Sequence, residues 1–255
     1  VNAIEIKDIR FAYKNGPSIL EGCDLTAKAG ERLFLFGPSG SGKTTLLSLI
    51  TGILRPDSGT VHVLGEDMHA LASSERDELR GSRMGYIFQM FNLLPYLTAL
   101  ENILLPCRMN PLRAARVAEP VKEAEHLMEK LGISALRDVQ PFRMSVGQQQ
   151  RVAAARALLG APDLIIADEP TSALDTDYRE RFLELLFENT RKSSAAILFV
   201  SHDRSLASLF DRQISLPDIN RAFAPAAGDR SDSLTRRPAR ARGNSPRLRS
   251  KGKSR

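Results

Sequence analysis

The chain has 255 residues, 42% hydrophobic and 26% charged, which is ordinary globular composition and enough for one large or two modest domains. Its net charge of +6 is unevenly spread: ten basic and two acidic residues after 221 give that stretch +8, which leaves −2 for residues 1–221. No apolar run approaches the 18 or so residues of a membrane span, Glu5, Lys7, Asp8 and Arg10 stand where a hydrophobic signal segment would lie, and Cys23 and Cys107 lack the spacing of a disulfide framework or zinc site, so none of these classes is expected.

Taken in chain order, residues 33–36 form a short continuous apolar run, as expected of a parallel strand covered on both faces. A glycine-rich loop leads from it into a helical pattern over 44–50 that Gly52 and Pro56 stop. The turn Pro56, Asp57, Ser58, Gly59 precedes a strand at 60–64, and another strand at 84–88 ends at Gln89. Between about 90 and 155 the periodicity is helical, clearest over 120–132, which opens with Pro120 and closes with Gly132. Ser145 followed by Gln148 is a capping-box pattern that opens a helix over 146–159. Buried strands resume at 164–167 and 196–200. The expected architecture is therefore an α/β core, discontinuous in sequence, occupying 1–223 with a helical subdomain inserted at about 90–155. Residues 224–255 are expected to be a disordered basic tail, because too little apolar surface remains to offset the entropy of ordering them.

Gly37, Pro38, Ser39, Gly40, Ser41, Gly42, Lys43 and Thr44 fit the pattern G-x-x-x-x-G-K-[ST] and sit between a predicted strand and a predicted helix, where such a loop belongs. Glycines let successive N–H groups face a phosphate, the helix N-terminus adds a favourable dipole, Lys43 reaches the β and γ oxygens, and Thr44 offers a hydroxyl to Mg²⁺. With Thr45, these residues are the candidate nucleotide site. The strand at 164–167 runs into Asp168, a candidate metal ligand, and Glu169, placed to orient an attacking water.

Met144, Ser145, Val146, Gly147, Gln148, Gln149, Gln150 and Arg151, then Asp168-Glu169-Pro170, Ser172-Ala173-Leu174-Asp175 and Ser201-His202-Asp203, follow one another in an order that resembles the ATP-binding subunit of ABC transporters over residues 2–220. The resemblance implies a P-loop NTPase core with a mainly parallel sheet and an N-terminal antiparallel β part. It implies that Tyr13 stacks on adenine, that Gln89 links metal and water to a transmembrane partner, that Asp175 belongs to the loop coupling two subunits, and that His202 is the switch histidine, which stabilises charge during attack on the γ-phosphate. The catalytic set it implies is Glu169, His202, Lys43 and Gln89, with Thr44, Gln89 and Asp168 on Mg²⁺. Ser145, Gly147 and Gln148 would meet the ATP of a second subunit, in a homodimer or heterodimer packed head to tail. The family usually places two glycines after the signature Ser where this chain has Val146 and Gly147; the Val is tolerable if its backbone keeps a negative φ.

The segment 91–102 resembles the lipoprotein-release and macrolide-export branch, which often carries Gly-Asn where this chain has Ser172-Ala173. The implied function is ATP binding and hydrolysis that energises separate integral membrane permease subunits, from the cytoplasmic face of the inner membrane. The rival is a family member that regulates a membrane partner mechanically and transports nothing. Two readings stand for the basic tail: an appendage without a dedicated role, and a weak contact with anionic lipid. Nucleic acid is the minor remainder.

Overall fold

The computed structural model describes residues 1–223 other than 15, 172–175 and 192–193. Ser172, Ala173, Leu174, Asp175 and the tail 224–255 therefore lie outside the described residues. The chain divides into the units 1–224 and 225–255, and the elements named below belong to the first.

An antiparallel sheet of order β2-β1-β4-β5 is built from β1 (Asn2–Ala12), β2 (Ser18–Lys28), β4 (Ser58–Val63) and β5 (Glu66–Asp67). Along β1 the inward residues are Ile4 and Ile6, then Ile9 and Phe11, so the alternation changes phase midway. Asp8, with φ 46°, lies at that break, where the pairing register with β2 and β4 also shifts. Gly59 faces the break: a Cβ there would lie 2.4 Å from the Asp8 carbonyl oxygen, and its own φ is +89°. Only glycine fits that approach.

A parallel sheet of order β6-β7-β8-β3-β9 contains β3 (Arg32–Phe36), β6 (Met84–Ile87), β7 (Leu164–Asp168), β8 (Ala196–Ser201) and β9 (Arg212–Ser215). Its strands feed two cores. Leu33, Leu35, Leu164, Ile166, Leu198 and Val200 face the antiparallel sheet and helix α1 (Lys43–Ile50). Phe34, Ile165, Ala167, Ile197 and Phe199 face the opposite core, which also takes α3 (Ala99–Met109), α5 (Pro120–Lys130), α6 (Val146–Leu158) and Phe182, Leu183 and Leu186 of α7 (Thr176–Arg191). Burial on both faces explains why these strands are apolar without alternation, each side chain contributing about 1.5–3 kcal/mol. Element ends differ from the sequence expectation by one or two residues. Leu64, expected in β4, has φ 54° and turns the chain instead, while α6 ends at Leu158.

Helices α3 to α6 lie between β6 and β7 in sequence, with α4 (Pro111–Ala114) among them, and α2 (Ser73–Arg83) leads into β6. The lock between these helices and the sheet is Arg113, only 1% exposed. Its guanidinium donates to the carbonyls of Leu159 (2.6 Å), Met84 (2.9 Å) and Ala157 (2.9 Å). Burial pushes its pKa down to about 10, so it stays charged at neutral pH, with charge-assisted bonds offsetting desolvation. Nearby, burial pushes Asp163 up, but hydrogen bonds from Arg116 and Arg83 outweigh it and hold the carboxyl below its ordinary range. Among the described residues, no helix is long and apolar enough to cross a membrane.

Candidate functional site

The loops that follow β3, β6, β7 and β8 all leave the carboxyl edge of the parallel sheet, which is where ligand sites form in open α/β sheets. A cleft of about 670 Å³ opens there. Ser39, Gly40, Gly42, Lys43, Thr44, Thr45, Gln89, Asp168, Glu169 and His202, all named from sequence, line it. The fold thus brings together residues from four separate loops.

Lys43 opens α1 after Gly42, whose φ of +98° a side chain would resist. The Lys43 ammonium donates to the carbonyls of Gly37 (2.8 Å) and Pro38 (3.0 Å), folding the loop back over its own lysine, and lies 3.9 Å from Glu169 Oε1. Gly37, Pro38 and Ser41 shape the loop without lining the cleft, and Ser41 is buried.

Glu169 is buried and held in a left-handed conformation, φ 47°, by an N–H bond to the Val200 carbonyl (2.9 Å). Strain at a non-glycine residue of this kind is characteristic of functional sites. Its Oε2 lies 2.8 Å from His202 Nδ1. Asp168 ends β7; burial chiefly, and then the neighbouring charge of Glu169, raise its pKa, while Lys43 opposes them. Two adjacent buried carboxylates against one lysine leave negative charge that a cation would neutralise. The Thr44 hydroxyl, Gln89 amide oxygen and Asp168 carboxylate line the same cleft as oxygen donors, the chemistry that suits Mg²⁺ with phosphate and water completing its shell.

Tyr13 stands beside this cleft, half exposed, with its hydroxyl 3.4 Å from Thr45 Oγ1 and its ring edge-on to Phe11 at 5.0 Å. Ser145, Gly147 and Gln148 are not among the lining residues. They form the start of α6, where Ser145 Oγ accepts from the Gln148 N–H (3.3 Å) and the Ser145 N–H donates to Gln148 Oε1 (2.8 Å), the expected capping box. Val146 is 47% exposed and is not among the positive-φ residues, so it meets the condition under which its side chain is tolerable.

Three contributors escape sequence reading. Ile19, at the start of β2, is the apolar wall of the cleft. Gln150 is fully buried and donates 2.5 Å to the Pro170 carbonyl, tying α6 to the segment just after Glu169. Arg156 donates to the carbonyls of Phe91 (2.6 Å) and Asn92 (2.7 Å), both with positive φ, and so braces the loop that carries Gln89. Gln150 had a signal: it heads a face continued by Ala153, Ala154 and Ala157, where a lone amide needs a partner.

Comparison with known proteins follows the same outline. The family model for ABC transporters matches residues 20–172. The chain is 43% identical over 218 residues to the lipoprotein-releasing system ATP-binding protein LolD of Anaeromyxobacter dehalogenans, a match covering 84% of this chain and 90% of that one. It is 39% identical to the uncharacterized ABC transporter ATP-binding protein YbbA of Escherichia coli, covering 84% and 94%. Among solved structures it is similar to the dimeric MJ0796, a bacterial ABC transporter cassette, with TM-score 0.74, 35% identity and coverage of 83% and 93%. MJ0796 has also been solved as a dimer in a post-hydrolysis state bound to ADP and Pi.

Proposed function

The chain belongs to the ABC transporter family as an ATP-binding, ATP-hydrolysing subunit, and we propose that it works as half of a head-to-tail dimer on a permease of the lipoprotein-release type. The observation that carries the reading is the division of phosphate-binding surfaces within one chain. Lys43, Gly42 and Thr44 line the cleft, whereas the capped N-terminus of α6 lies outside its lining. A second subunit's α6 would complete each cleft, and the permease would dock near Gln89 and the helical insertion on the cytoplasmic face.

In this mechanism the N–H groups of Gly40, Gly42, Lys43 and Thr44 and the Lys43 ammonium hold the phosphates, while Ile19 and Tyr13 take the base side. Mg²⁺ held by Thr44, Asp168 and Gln89 would supply charge neutralisation at the β and γ oxygens. Glu169 accepts the proton of the attacking water. His202, bonded to Glu169 through Nδ1, keeps that carboxylate aimed at the cleft and offers its own ring toward the γ-phosphate. Gln150, through Pro170, and Arg156, through Phe91 and Asn92, tie α6 to the segments that carry Glu169 and Gln89. The basic tail adds a contact with anionic lipid beside the permease, each basic residue near the surface contributing about 1 kcal/mol.

Replacing Glu169 by Gln keeps the shape and removes the base. Turnover is expected to fall by about a hundredfold or more, and ATP should accumulate a dimer visible by size-exclusion chromatography. Turnover at the wild-type rate would refute the role given to Glu169.

A further inference from the structure

The last described segment of the chain reaches back to the phosphate loop. After β9, α8 (Leu216–Ile219) leads to Asn220, which is 1% exposed although it sits only a few residues before the end of the first unit. Its side-chain amide is saturated. Oδ1 accepts the N–H of Glu21 (2.9 Å) and of Ala222 (3.2 Å), and Nδ2 donates to the carbonyls of Ile19 (2.8 Å) and Ser41 (3.4 Å). Bonding to both Ile19 and Glu21 imitates a paired strand along β2, and the fourth bond crosses to the loop. Close by, a Cβ on Gly37 would lie 2.8 Å from Ser41 Oγ and 3.1 Å from Pro217 Cδ, so the loop is seated directly on this closing segment.

We propose that Asn220 is a positioning residue for the phosphate loop, fixing the Ser41–Gly42 peptide so that the Gly42 N–H faces the bound nucleotide. The carbonyl of Ser41 and the N–H of Gly42 share one planar trans peptide, in which they point in opposite directions. Holding the carbonyl on Asn220 therefore turns the N–H away from Asn220, and Gly42 is a lining residue of the cleft. The peptide needs such a hold. Gly42 has φ +98°, the neighbouring Gly40 has φ +79° with nothing within 4 Å of its Cβ position, and Ser41 Oγ is buried without a hydrogen-bond partner. Through Ile19, the same amide sets the apolar wall of the cleft. The function of Asn220 rests on the nucleotide reading of the loop and adds to it a residue some 180 positions away in sequence.

The test is Asn220→Asp in the full chain, read by calorimetric titration with Mg-ADP and by steady-state ATPase. Asp keeps the acceptor for Glu21 and Ala222 and sets a carboxylate against the Ile19 and Ser41 carbonyls. The dissociation constant for Mg-ADP and the KM for ATP should both rise about tenfold while kcat at saturation stays within about twofold. Leu127→Ala, which opens a cavity in the helical core far along the chain, controls for general destabilisation and should leave both constants unchanged. Mg-ADP affinity within twofold of wild type, or an equal weakening in Leu127→Ala, would overturn the proposal. If the Asp variant does not fold, Asn220→Ala is judged by the same two criteria. Failure of the wild-type chain to bind Mg-ADP would instead refute the phosphate-loop reading itself.

Discussion

The phosphate loop and the start of α6 are both built to meet an anion, yet the chain finishes one and leaves the other open. Around the loop, four strand ends converge, Lys43 is held by two carbonyls, Glu169 is buried and strained, and Asn220 closes the structure from beneath. At α6 the cap is fully formed, but Ser145 and Val146 are exposed and are not among the residues that line the cleft. A completed cap costs the helix nothing while it waits, because its first N–H groups are satisfied by Ser145 and by water. The difference teaches that one region is organised to hold a ligand on its own and the other to recognise a ligand already held elsewhere.

The largest effect should come from breaking each region in a different copy. Lys43→Ala should abolish nucleotide binding and turnover, whereas Ser145→Arg should leave Mg-ADP binding by the single chain intact and cut ATPase by about a hundredfold. Mixing the two variants should recover activity, since one of the two clefts then pairs an intact loop with an intact cap; ATPase assays on the mixture read this, and no recovery would argue against self-pairing. A smaller effect is expected where the regions are joined. Gln150→Leu removes the bond to Pro170 and should lower kcat by about tenfold with Mg-ADP affinity unchanged. Stability should fall only modestly in thermal melts, because the Pro170 carbonyl loses its donor while Gln150 Oε1, already buried without a partner, leaves with the substitution. The smallest effect belongs to Val146→Gly. Its backbone already has a helical sign of φ, so ATPase should stay within about twofold. A many-fold rise in that assay would mean that Val146 degrades the contact made through Ser145 and Gly147.

Much of this site is legible in the sequence, and the reason is local. The loop from Gly37 to Thr44 and the strand ending at Asp168 are contiguous segments whose chemistry is fixed by neighbouring residues, and strands buried on both faces announce themselves as unbroken apolar runs. β1 resists the same reading because the bulge at Asp8 reverses its alternation, so no single period of two runs through it. The closing segment around Asn220 resists it for a different reason. Its residues have no periodicity, and their role exists only in bonds to Ile19 and Ser41 that span most of the chain. Ile19, Arg113 and Arg156 are of this second kind: a half-buried Ile or a lone helical arginine looks like surface until tertiary structure supplies its partners.

Arg113 carries a consequence for how this chain tolerates change. Its three bonds go to main-chain carbonyls at Met84, Ala157 and Leu159, which every amino acid possesses. The lock therefore reads the path of the backbone and is indifferent to the identity of the residues that supply it. Drift at 157 and 159 is limited by volume and by their apolar surroundings, while lysine cannot replace the fork of the guanidinium. The rigid positions are the silent ones beside it. A Cβ at Gly85 would come within 2.3 Å of the Ala157 carbonyl oxygen, and one at Gly160 within 2.8 Å of Arg113 Nε. In a library of variants, Arg113, Gly85 and Gly160, which touch no nucleotide, should thus rank among the least replaceable positions where the helical insertion meets the sheet.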